Sequence, residues 1–73
     1  MALVDVTSEI IGTVWKIEVK VGDQLQEDDP ILILESMKME IPVTAPKSGS
    51  VVEILVSEED TVDEGQVVAR LEV

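Results

Sequence analysis

The chain has no cysteine and no histidine. Without thiols there is no disulfide framework, and without imidazoles the commonest zinc ligands and general bases are missing, so neither a metal site nor a catalytic constellation is expected. The aromatic content is Trp15 alone; a single aromatic in a strand-like segment reads as packing rather than as a ligand platform. Basic residues number 5 against 16 acidic ones, a formal charge of −11. Phosphate backbones are bound by clustered Lys and Arg, so no nucleic-acid partner is expected, and the acidity reads as solubility. No apolar run approaches the roughly 20 residues of a membrane span, and Met1-Ala2-Leu3-Val4 meets Asp5 without the basic stretch of a signal peptide. A cytoplasmic protein without a membrane partner is the expectation.

What is present fits one small domain, residues 1–73, with no room for a second core or an enclosed cleft. Stability must come from packing, and the abundance of Val, Ile and Leu suits a pleated, half-buried surface. The class is therefore all-β. The chain also repeats itself: residues 12–35 lie over 49–72 at an offset of 37 without a gap. Identities fall at Gly12/Gly49, Val14/Val51, Ile17/Ile54, Val19/Val56, Asp23/Asp60, Glu27/Glu64, Leu34/Leu71 and Glu35/Glu72. Two copies are too few for a solenoid, so the expectation is two half-sheets related by a pseudo-twofold axis, each covering the other's apolar face.

Each copy reads as a strand opened by Gly, a turn at Asp23 or Asp60, a short apolar stretch, a second acidic turn and a final strand. Gly65 and its counterpart Asp28 are placed for positive φ, and Pro30 for the first position of a strand. Ser57-Glu58-Glu59-Asp60 reads as one turn of helix. The acidic groups Glu27-Asp28-Asp29 and Glu58-Glu59-Asp60 lack the spacing of a calcium loop and read as solvated turns.

One segment breaks a local rule. Met37-Lys38 lies where a tight turn belongs, between Ile31-Leu32-Ile33-Leu34 and Glu40-Ile41-Pro42-Val43, yet neither residue is a turn former. With those two at the centre of a two-residue loop, Ser36 faces Met39, Glu35 faces Glu40 and Leu34 faces Ile41. That register puts Leu32, Leu34, Met39, Ile41 and Val43 on one core-side face, and leaves Glu35 and Glu40 as a like-charged cross-strand pair that Lys38 partly offsets. A broken rule with no structural gain points to function, and the residue on display is an amine nucleophile.

Glu35-Ser36-Met37-Lys38-Met39-Glu40 resembles the attachment motif of the biotinyl domain family, usually Ala-Met-Lys-Met with the cofactor on the Lys. The resemblance extends over nearly the whole chain, through the Gly-x-Val opening each repeat, Val21-Gly22-Asp23 and Ala45-Pro46-Lys47-Ser48-Gly49, and is strongest to small single-domain biotin/lipoyl attachment proteins. It implies a flattened β-barrel, or barrel-sandwich hybrid, of two four-stranded antiparallel sheets with quasi-twofold symmetry and a modified Lys at a hairpin tip. Ser36 departs from the usual Ala by one hydroxyl, which an exposed tip tolerates. The gapless repeat leaves no room for the protruding loop of some acetyl-CoA carboxylase carriers, so the attached ring would be freer.

By the same resemblance the chain is a non-catalytic carrier protein. A biotin protein ligase would acylate Lys38 from biotinyl-adenylate, and biotin would then carry a carboxyl group between a biotin carboxylase and a carboxyltransferase in trans. The ligase must supply deprotonation, since a lysine amine is mostly protonated at neutral pH. Lipoate, added by a lipoyl ligase, is the alternative cofactor, in place of biotin or as a second modification that Lys38 also accepts, although the usual lipoyl motif Asp-Lys-Ala matches neither flank; an unmodified β domain for protein contacts is the third reading. Lys38 alone is expected to be acylated, and Lys16, Lys20 and Lys47 are not. A monomer is the natural state for so small an acidic surface.

Overall fold

The computed structural model describes residues 2–73. Eight strands follow one another: β1 (Leu3–Thr7), β2 (Gly12–Ile17), β3 (Gln24–Leu25), β4 (Pro30–Ser36), β5 (Met39–Thr44), β6 (Gly49–Ile54), β7 (Thr61–Val62) and β8 (Val67–Glu72). They form two four-stranded antiparallel sheets, ordered β1-β8-β6-β3 and β5-β4-β2-β7. The sheets are not the two sequence halves. Each takes strands from both, so the halves interlock instead of merely facing each other.

The offset of 37 recurs in the backbone hydrogen bonds. The amide of Val14 donates to Asp60 O and that of Glu59 to Val14 O, at 2.8 and 2.7 Å; the equivalent bonds are Val51 N to Asp23 O and Gly22 N to Val51 O, at 2.9 and 2.8 Å. Lys20, Gln26, Ser57 and Asp63 each open a tight turn closed by the amide three residues on, and their own amides donate to the side chains of Asp23, Asp29, Asp60 and Gln66. The third residue of each turn, Gly22, Asp28, Glu59 or Gly65, has φ between 74° and 100°, as a type II turn requires. Ser57–Asp60 is therefore a turn and not helix, because Glu59 lies outside the right-handed region (φ 78°).

The core lies between the sheets and follows the same symmetry, with Val6/Val43, Val14/Val51, Leu25/Val62, Ile31/Val68, Leu32/Ala69 and Leu34/Leu71 all buried. Burial of each larger aliphatic side chain contributes about 1.5–3 kcal/mol. Ser8 is the one buried polar side chain among the described residues; its hydroxyl donates to Ile10 O and accepts from Ile10 N, so nothing is left unpaired there.

Trp15 does not pack in this core. Register shifts in β2 between Val14 and Lys16, and in β6 between Val51 and Glu53, mark matching bulges at Trp15 and Val52. A bulge sends two successive residues to the same side. Trp15 and Lys16 thus both face outward, and the indole is 49% exposed.

Candidate functional site

Strands β4 and β5 form a hairpin whose register is Leu32↔Val43, Leu34↔Ile41, Glu35↔Glu40 and Ser36↔Met39. Leu32, Leu34 and Val43 point into the core, so a slip by one residue would turn them to solvent, and the pattern holds the tip in place. Met37 and Lys38 occupy the loop with φ of 51° and 65°. Positive φ at both central residues is the type I′ arrangement, whose twist matches that of the strands it joins. For residues with a Cβ, the left-handed region costs about 1–2 kcal/mol each.

The core-side face does not extend to the tip. Met39 lies on the same side as Leu34 and Ile41 but is 61% exposed, and Ile41 is half-buried; Met37 is 92% exposed. The apolar side chains flanking Lys38 are in solvent on both sides. Ser36 is half-buried at the base, beside a concavity also lined by Glu9, Ile10, Ile11, Asp63 and Glu64 from the β1–β2 and β7–β8 loops. Gly12 lies close beneath the hairpin, where a Cβ would come within 3.0 Å of Glu35 O.

The amine of Lys38 is exposed and takes part in no ion pair among the described residues, while Glu35 and Glu40 stand opposite each other with no cation bound to either. Lys16 lies mid-strand with its Nζ 3.7 Å from Glu18, Lys20 opens the turn at Gly22, and Lys47 lies in the β5–β6 connection. Arg70 is held between Asp5 and Glu53 on the outer face of the other sheet, and its hydrogen bonds to them, first to Asp5, favour its charged form further. Of the basic side chains, only Lys38 lies at the tip of a two-residue hairpin.

β5 leads away from the tip to Thr44, and the short link after it reaches Gly49, whose Cβ position lies against Glu72 O. The paired chain ends, with Ala2 N and Val73 N each donating to the other's carbonyl, therefore lie at the far end of a body 37 Å long.

The strain at the tip can be tested on its own. Asn tolerates positive φ better than Met, and Met37 makes no buried contact to lose. Met37→Asn is expected to stabilise the domain by about 1 kcal/mol, or roughly 4–8 °C in Tm for a domain of this size. Calorimetry showing an unchanged or lower Tm would mean that Met37 pays no conformational penalty.

The biotin/lipoyl family model, described as "Biotin-requiring enzyme", matches residues 4–71. The chain is 47% identical over 66 residues to the biotin/lipoyl attachment protein of Bacillus subtilis, covering 90% of each. It is 40% identical over 60 residues to the dihydrolipoyllysine-residue acetyltransferase component of the pyruvate dehydrogenase complex of Corynebacterium glutamicum, of which it spans only 9%. The crystal structure of Kluyveromyces lactis urea carboxylase contains the same fold, with a TM-score of 0.93 at 38% identity over 99% of this chain and 6% of that one.

Proposed function

Because the chain belongs to the biotin/lipoyl attachment domain family, a non-catalytic carrier type, we propose that it is a biotin acceptor whose Lys38 is acylated by a biotin protein ligase. The observation that carries this reading is the presentation of Lys38: an exposed amine, without an ion-pair partner among the described residues, at the tip of a strained type I′ turn and flanked by two solvent-exposed methionines. The fold supplies position and access, and the ligase must supply the rest. Once deprotonated, Nζ attacks the carbonyl of an activated biotinyl group; the N–C bond of a neutral amide forms as the bond to the leaving group breaks.

Attached biotin supplies carboxyl transfer between a biotin carboxylase and a carboxyltransferase acting in trans. The long Lys stem swings from a rigid hairpin, and tethering raises the effective concentration of the carried group at each partner. Glu35, Ser36, Met37, Met39 and Glu40 form the surface that a partner meets around the amine. A cytoplasmic monomer completes the reading. The Met-Lys-Met sequence favours biotin over lipoate, although one relative is a lipoyl-bearing component by name.

Purified protein incubated separately with a biotin ligase and with a lipoyl ligase decides between the two. Intact mass and peptide mapping should show one biotinyl group, on Lys38, from the first enzyme and little or no lipoyl group from the second. Lipoylation alone would replace biotin by lipoate in this reading, and no modification by either enzyme would remove the carrier function.

A further inference from the structure

The two methionines at the tip have no role in the fold. Met37 is 92% and Met39 61% exposed, so neither contributes to the core, and Met37 also adopts a φ of 51° that its side chain disfavours. Both side chains are consequently open to solvent, and the two residues flank Lys38 in the chain. The chain has 3 methionines in all. Two of them bracket the one lysine displayed at a hairpin tip.

We propose that Met37 and Met39 are reversible oxidation sites that control acylation of Lys38 by the ligase. The oxidant is a peroxide. With hydrogen peroxide, a sulfur lone pair attacks one peroxide oxygen, an S–O bond forms as the O–O bond breaks, sulfur is oxidised by two electrons that reduce the peroxide, and the proton on the transferred oxygen passes to the departing one, which leaves as water. The product, methionine sulfoxide, replaces a soft apolar side chain with a polar, chiral one that methionine sulfoxide reductases convert back. Any enzyme that packs against the tip to reach Nζ must cover these side chains. A sulfoxide there brings an S–O dipole into that contact, and desolvating it without a partner is unfavourable. The core is out of reach of this chemistry, so oxidation changes recognition while leaving the fold intact.

The inference rests on the biotin-acceptor reading, and the experiment separates the two. Wild type and a Met37→Leu/Met39→Leu variant are each treated with hydrogen peroxide, the sulfoxides are mapped by mass, and the initial rate of biotinylation is compared with that of the untreated protein. Wild type should gain an oxygen on Met37 and on Met39, Met37 the faster, with its melting temperature retained and its rate reduced by about tenfold, equivalent to 1.4 kcal/mol. Reductases of both stereospecificities with a thiol should restore the rate, and peroxide should leave the rate of the Leu variant unchanged. Fully oxidised wild type acylated at an undiminished rate, or an equal loss in the Leu variant, overturns the proposal. Untreated wild type that no ligase biotinylates instead overturns the acceptor reading, while the mapped sulfoxides still report whether the tip sulfurs oxidise first.

Discussion

Lys38→Arg is expected to abolish biotinylation completely and to leave the melting temperature unchanged. The guanidinium keeps the positive charge and the length of the side chain, but it stays protonated at any pH the protein survives and offers no nucleophilic nitrogen. Lys38 is exposed and has no ion-pair partner among the described residues, so little stability depends on it. Surface changes of this kind stay within about 0.5 kcal/mol. Arginine also keeps the net charge of a tip where Glu35 faces Glu40, so lost acylation is not confounded with a change of charge. The informative failure is residual label. Lys16, Lys20 and Lys47 remain in the variant, and a biotinyl group on any of them would mean that the ligase reads accessible amines and not the hairpin. Their settings argue otherwise, since one lies mid-strand beside Glu18 and the other two in turns or connections without a projecting tip.

The hairpin was legible in the sequence because two constraints agree there. A two-residue loop at Met37-Lys38 puts Leu32, Leu34, Ile41 and Val43 on one side, and the register observed is the one that loop gives. The face gives out towards the tip, half-buried at Ile41 and exposed at Met39, because period-two patterning reports a direction and not what lies in it. Trp15 follows buried Val14, so alternation alone already turns it outward against the expectation that a lone aromatic packs. The bulge decides its neighbour, because strict alternation from Val14 would have put the charge of Lys16 in the core. Glu53 repeats this in the second half. The all-β class was plain from composition, whereas the two-residue strands β3 and β7 are too short to carry any period. Strand β1 lies outside the 12–35 repeat, although Val6-Thr7 and Val43-Thr44 match at the same offset and would have extended it. Interlocking of the halves has no local signature at all, since strand partners are chosen by how the two whole sheets assemble.

That interlocking sets the second large effect. Leu34 and Leu71 are both fully buried and occupy equivalent positions, Leu34 opposite Val14 and Ile41, Leu71 opposite Val51 and Val4. Truncating either to alanine leaves a cavity in a core with little freedom to collapse and is expected to cost about 2–5 kcal/mol. Small domains hold only about 5–15 kcal/mol in total, so either change removes a large share of the stability. The two losses should agree to within about 1 kcal/mol despite the different sheets, because each sheet holds strands of both halves and neither can unfold while the other persists. Urea unfolding of Leu34→Ala and Leu71→Ala, followed by Trp15 fluorescence and by far-ultraviolet dichroism, tests this directly. Coincident single transitions with equal displacement are the expected result. Two separated transitions, or a loss confined to the Leu34 variant, would instead make the Lys38-bearing sheet an independent unit. The rigidity of the display tip would then rest on that sheet alone.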